Sequence, residues 1–312
     1  MTTPPTPASS SRVVDEIPEI TRVVPLRRPA TWVAAAVLLV LVAMLAHTLL
    51  FNPRFEWDVV ARFFTSPAIL VGLLRTIELT VVSMAIGIVL GCALALMRLS
   101  GNPVVSGFAS TYVWFFRGTP VLVQLIFLYN ISALYPKLSL GVPFGPAFVS
   151  GNVNHIVTPF LAAIIGLGLN EGAFMCEIVR AGILSVDAGQ VEAGQVLGMT
   201  RRRITRRIVL PQAARFVIPP TANQVIAMLK NTSIVSVIAL PELLYSAQII
   251  YTRDFTTIPL LIVASLWYLI VTSVLTVGEQ FVERRFGGSD VTRRMRRFAV
   301  PRLLRGAGRG AA

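Results

Sequence analysis

Long apolar runs separated by short polar segments set the rhythm of the chain. Six stretches, 31–51, 69–97, 119–135, 156–184, 212–236 and 258–281, are mostly apolar over close to twenty residues or more. That is the length an α-helix needs to cross the hydrocarbon core of a bilayer. The pattern predicts an all-α, multi-pass membrane protein with about six transmembrane helices. The third run is the least regular, because Arg117, Gly118 and Pro120 interrupt apolar sequence that begins at Phe108. There Thr119 is expected as a helix cap with Pro120 in the first helical position. A further stretch, 239–257, is apolar but broken by Pro241, Glu242, Arg253 and Asp254, and is expected as an interfacial or re-entrant piece.

The segments outside this rhythm divide the chain. Residues 1–30 are rich in Pro, Ser and Thr without periodicity, the composition of a disordered tail. The run 31–51 is expected to be a retained helix rather than a signal peptide, since the polar lead before it is long and carries Asp15, Glu16 and Glu19. Residues 286–312 form a basic tail.

Composition sharpens the class. Charged residues are 14% and hydrophobic residues 54% of the 312, against about 25% charged in soluble domains. The net charge of +13 would suit a nucleic-acid binder, but the arginines lie between and beyond apolar runs, with no soluble domain to carry them. Their placement instead predicts orientation. Arg12, Arg22, Arg27, Arg28, Arg98, Arg117, the five arginines of 201–207 and the nine from Arg284 to Arg309 fall on one side, and only Arg54, Arg62, Lys137 and Arg253 on the other. Positive loops stay inside, so both termini are expected in the cytoplasm. Cys92 and Cys176 both lie in apolar runs, so no disulfide framework is indicated. His47 and His155 stand far apart with no cysteine or carboxylate cluster, so no metal site is expected.

One segment breaks the apolar logic. VEAGQVLGMTRRRITRRIVLP, 191–211, holds five arginines in seven residues and glycines at Gly194 and Gly198. The spacing predicts a short helix over 191–197, a joint at Gly198, a second short helix capped by the Thr200 hydroxyl, and Pro211 opening the next membrane helix. Ile204 and Ile208 fall on one face. Arg201–Arg203 oppose the positive end of their own helix dipole, which an acidic partner surface or anionic lipid would offset. A helix-turn-helix contact with DNA is disfavoured, because the isoleucine face is too short for an independent core.

The order Glu192-Ala193-Gly194, Gly198, Ile208-Val209-Leu210-Pro211 resembles the "EAA" coupling loop of ABC importer permease subunits. Arg117-Gly118-Thr119-Pro120 with Val123-Gln124 resembles the RGTP stretch of polar amino-acid permeases. Glu177 to Ile183 followed by Gly189-Gln190, and Lys230-Asn231-Thr232-Ser233, resemble two further stretches of that family. The likeness covers about 70–285 and is to permeases of the histidine, glutamine, arginine and opine type. It implies a five-helix type I permease core over 69–285, with its coupling loop at 185–210, and the 31–51 helix as an addition. It also implies a multi-pass subunit of a bacterial inner membrane, a second permease subunit, an extracytoplasmic amino-acid-binding protein, and a separate ATP-binding subunit that holds ATP and Mg. The ATPase-coupling residues would then be Glu192, Ala193, Gly194, Gly198, Ile204, Ile208 and Pro211. Gly194 departs from the family's second alanine and is expected to loosen the first helix by roughly 1 kcal/mol.

The chain has no Gly-Lys pair, so a phosphate-binding P-loop is absent and no enzymatic role or cofactor is expected. An ion-gradient-driven secondary transporter is the alternative, although it leaves the jointed segment without a task and no internal repeat is visible.

Ionisable groups inside apolar runs are costly and therefore candidates for function. Arg75 with Glu78, and Glu177 with Arg180, are i, i+3 neighbours and can form local structural pairs. Glu171 and Lys230 have no such neighbour. Either they grip the ammonium and carboxylate of an amino acid, or they pair with each other and brace the helices. Gln124, Asn170, Asn223 and Gln224 are candidate hydrogen-bonding groups along the same path, or polar glue between helices.

Overall fold

The computed structural model describes residues 29–141 and 147–286. The expected tails at 1–30 and 286–312 lie outside these residues, except for their innermost positions. Two compact units divide at Phe55/Glu56. The first holds α1 (Pro29–Phe51), a 23-residue helix with no polar face, and a short turn at Pro53–Phe55.

The second unit begins with α2 (Trp57–Phe64) and α3 (Pro67–Arg98). At 32 residues α3 is about 48 Å long and exceeds the hydrocarbon core. Then come α4 (Pro103–Gly118), started by the Asn102 side chain accepting from Val104 N and Val105 N, and α5 (Val121–Tyr129). A two-stranded antiparallel ribbon follows, β1 (Lys137–Gly141) with β2 (Ala147–Asn152), and a single turn of helix, α6 (Val153–Ile156). The remainder is α7 (Pro159–Leu184), α8 (Ala188–Val196), α9 (Arg201–Ile204), α10 (Leu210–Asn231), α11 (Leu243–Asp254) and α12 (Thr257–Phe286). Among the described residues four helices are long and apolar enough to span, or six when each of two bent pairs counts as one. The all-α expectation holds, with the small ribbon as its one addition among the described residues.

The two bent pairs revise the expectations from sequence. The expected span 119–135 is not one helix. The axes of α4 and α5 meet at 100°, and nine residues of α5 reach only about 14 Å. Thr119 closes α4 instead of opening α5: its backbone is extended and its N–H bonds Phe115 O. Pro120 lacks the N–H that a continuing helix would use, and it pushes the residue before it out of the helical region. For the stretch 239–257 the burial of α11 excludes the interfacial reading, while the bend fits the re-entrant one. Ala239, at φ 58, breaks the chain before α11, which departs at 45° from the rod preceding it and buries Leu243, Ser246, Ala247 and Ile250. The apolar members of this set pack with Ile69 and Leu73 of α3, Val60 of α2 and Leu260, Val263 and Ala264 of α12.

The central seam joins α3 to α7. A Cβ at Gly87 would lie 2.5 Å from Glu171 Cγ, and one at Gly91 2.4 Å from Met175 Cβ. In return, Gly168 and Gly172 of α7 receive Ile86 and Leu90. Small residues four apart let two membrane helices approach closely where lipid offers no hydrophobic drive. Both cysteines are free.

Candidate functional site

The jointed segment forms the knob that its sequence suggests. Asp187 caps α8 by accepting from Gly189 N at 2.7 Å. The helix ends with Gly198 at φ 68, where Met199 N donates to Gly194 O (3.0 Å) and Gly198 N to Gln195 O (2.9 Å). This is the paired-bond ending that a left-handed glycine allows. A Cβ at Gly198 would meet nothing within 4 Å, so glycine is required there by backbone conformation and not by space. Gly194 is different: a Cβ there would lie 3.1 Å from both Ile204 Cγ1 and Ile208 Cδ1. The departure from alanine that should loosen α8 therefore seats the two isoleucines, of which Ile204 is buried.

Two details of the segment differ from expectation. The Thr200 hydroxyl makes no capping bond; its carbonyl accepts from Arg203 N (2.8 Å) and Ile204 N (3.0 Å). Pro211 does not start a separate helix. A wide π-turn over Thr205–Val209 links α9 to α10, with Leu210 N reaching back five residues to Thr205 O. Pro211 has no N–H to offer the carbonyl four residues behind it, and the wider turn carries the helix past that gap. The second short helix and the membrane helix are thus one rod from Arg201 to Ile238. The knob's surface shows Glu192, Ala193 and Pro211 exposed, Val196 and Leu197 at 87% and 79% exposure, and an open cleft of about 240 Å³ lined by Thr200, Arg202, Arg203, Arg206 and Arg207.

Within the apolar helices the structure sorts the candidates into four places. Gln124 and Asn170 come together at the α4–α5 corner. Gln124 Nε2 donates to Phe116 O (3.1 Å), Thr119 O (3.1 Å) and Thr119 Oγ1 (2.7 Å). Asn170 Nδ2 donates to Phe116 O (3.0 Å) and Gln124 Oε1 (3.2 Å). These bonds occupy carbonyls that the end of α4 leaves free, so both side chains hold the bend against α7.

Glu171 is buried on α7 against Gly87, and its Oε1 has no hydrogen-bond partner. Lys230 is exposed and forms no ion pair among the described residues, so the bracing pair is not made. Asn223 and Gln224 line a cavity of about 410 Å³ with Ile178, Pro219, Pro220 and Glu283. Asn223 Nδ2 donates to Glu279 Oε1 at 3.0 Å. Pro219 and Pro220 sit inside α10 and free two backbone carbonyls one turn back. Glu279 and Glu283 are not apparent as candidates from sequence because they stand at the trailing end of an apolar run. The adjacent prolines in 212–236 are the available signal.

The local pairs are present, and one is larger than expected. Arg75 Nη1 lies 3.7 Å from Glu78 Oε2. Glu177 accepts from Arg180 Nε (3.0 Å) and Nη2 (2.9 Å) through Oε2, but its Oε1 also accepts from Arg98 and lies 3.7 Å from Arg117 Nη1. One carboxylate therefore ties the ends of α3, α4 and α7. A second buried carboxylate is Glu242, legible in sequence only as a break in the stretch 239–257. Fully buried, it caps α11 by accepting from Leu244 N (3.0 Å) and Tyr245 N (2.8 Å). It also accepts from Tyr268 Oη (2.9 Å) and Thr76 Oγ1 (3.3 Å), joining α3, α11 and α12.

Comparison with known proteins agrees with this geometry. Residues 87–288 match the family described as the binding-protein-dependent transport system inner membrane component. The arginine transport system permease protein ArgU of Corynebacterium glutamicum is 45% identical over 279 residues, 88% of this chain and 86% of that protein. The L-cystine transport system permease protein TcyB of Bacillus subtilis is 37% identical over 73% of this chain and 90% of its own length. A crystal structure of an amino acid ABC transporter with histidines aligns at a TM-score of 0.60 and 34% identity, over 70% of this chain and 94% of that one. The fold is that of a type I ABC importer permease, and the chain belongs to the family of binding-protein-dependent transport system inner membrane components.

Proposed function

We propose that this permease subunit carries a polar or charged amino acid, with a cationic one as the leading candidate, inward across a bacterial inner membrane. Energy comes from a separate ATPase docked on the 185–210 knob. An extracytoplasmic binding protein delivers the cargo, and a second permease subunit completes the path. The observation that carries this reading is the rod from Arg201 to Ile238. A displacement of the knob by a docked partner is passed to a membrane helix continuous with it. The cargo follows from the arginine permease relative at 45% identity and from carboxylates without a matching cation among the described residues: Glu171 within α7, and Glu279 with Glu283 on α12.

Uptake of labelled arginine into proteoliposomes holding the subunit, its ATPase and its binding protein tests the reading. Uptake should require ATP, stop with vanadate and survive collapse of ion gradients. Uptake that ignores vanadate but stops with an ionophore would instead establish the secondary transporter. Glu171→Gln keeps the shape and removes the carboxylate. Arginine uptake should fall at least about tenfold, the loss of one charge-assisted contact, with assembly intact. Wild-type uptake in this variant would remove Glu171 from the path.

The arginine asymmetry supports an orientation with the knob in the cytoplasm and the β1–β2 ribbon outside. Asn154→Cys and Thr200→Cys, each in a chain lacking Cys92 and Cys176, should react with an impermeant maleimide from opposite faces of the membrane. Labelling of both from outside intact cells would refute that orientation.

A further inference from the structure

We propose that the arginine node at the ends of α3, α4 and α7 binds the phosphodiester headgroup of an anionic phospholipid. The inference rests on the proposed orientation, which puts this node, and the knob that departs from α7, at the cytoplasmic leaflet. The node has more cation than its own anion can satisfy. Glu177 Oε2 is taken by both donors of Arg180 and Oε1 by Arg98. Arg117, at 3.7 Å, is beyond hydrogen-bond range, and its guanidinium rests over the Phe174 ring at 5.4 Å. Among the described residues no second carboxylate lies within ion-pair distance of Arg98, Arg117 or Arg180, which leaves two positive charges in excess. Their side chains are 22%, 45% and 31% exposed, open enough to be reached and covered enough that the excess is costly without an anion.

The surroundings favour a lipid over a free anion. Val104, Phe108, Trp114 and Phe115 of α4 are large, apolar and exposed, and the last two stand within one turn of Arg117. Apolar and aromatic side chains beside cations are how a helix lies at the headgroup boundary. Acyl chains would cover this row while the guanidinium groups, whose fork geometry suits phosphate, meet the headgroup. Basic pockets between membrane helices on the cytoplasmic side bind phospholipid in the same manner.

Purified protein in detergent, given equal phosphatidylglycerol and phosphatidylcholine, is measured by native mass spectrometry for retained lipid. Phosphatidylglycerol should be retained in preference, and Arg117→Gln should reduce that preference about fivefold, the effect of one charge near a surface. Arg215→Gln, an equal charge change on exposed α10 surface, should leave it unchanged. Millimolar inorganic phosphate or glycerol phosphate should not displace the lipid. Equal retention of the two lipids, an unchanged preference in Arg117→Gln, or displacement by inorganic phosphate overturns the proposal. If Arg117→Gln does not fold, the lipid comparison and the phosphate competition on the native chain still decide. Lipid retention needs neither ATPase nor cargo, so its failure is distinct from failure of the transport reading.

Discussion

Gly198→Val should abolish transport while leaving a folded, membrane-inserted subunit. The position holds φ 68, a region where an L side chain costs roughly 1–2 kcal/mol and where a β-branched one fits worst. Nothing within 4 Å would touch a new Cβ, so the strain at that atom is conformational and is relieved by leaving the left-handed region. Leaving it breaks the bonds from Met199 N to Gly194 O and from Gly198 N to Gln195 O and swings α9. Because α9 continues into α10, the misplacement lies on the element proposed to receive the ATPase's motion. Substrate-stimulated ATP hydrolysis and uptake, both measured in the reconstituted complex, should fall to a few per cent of wild type or below. Gly198→Asn, which tolerates the left-handed conformation, should retain most activity. If the valine variant transports at the native rate, the joint is not part of the coupling surface.

Glu242→Ala should be the most destabilising single substitution among the buried polar residues. The change leaves two backbone N–H groups at the start of α11 and the hydroxyl of Tyr268 without their shared acceptor, while the Thr76 hydroxyl keeps Gly72 O at 3.1 Å. Each buried group left unsatisfied costs about 1–3 kcal/mol, so the set is on the order of 4 kcal/mol after partial relaxation. For a chain of this size that corresponds to a fall in melting temperature of about 10 °C, read by fluorescence-detected gel filtration after heating. Glu242→Gln keeps a carbonyl acceptor for the α11 N-terminus and should lose less than half as much. A melting temperature for the alanine variant within about 2 °C of wild type would show that the network does not hold α3, α11 and α12 together.

Local chemistry made the knob legible. A left-handed glycine and an i, i+4 isoleucine face are decided within a short stretch of chain, so Gly198, Ile204, Ile208 and Gly194 all sit where their spacing puts them. The membrane helices were legible for a related reason: in lipid every backbone group must bond within its own segment, so length and hydropathy nearly determine the outcome. The same reasoning misplaced 119–135. A hydropathy window averages over Thr119-Pro120, although this one dipeptide turns the axis by 100°.

The amino-acid sequence by itself determined a multi-pass helical protein, its jointed arginine-rich segment, and the pairs Arg75–Glu78 and Glu177–Arg180, because each depends on neighbours along one helix. Tertiary structure alone decided which partners those charges meet across helices. It brought Arg98 and Arg117 to Glu177 from separate helices, and Tyr268 and Thr76 to Glu242. It also left Glu171 against Gly87 without Lys230. A charge in an apolar run announces only that it needs a partner. Which one it finds depends on how closely the helices approach, and the glycines of α3 and α7 decide that at the seam.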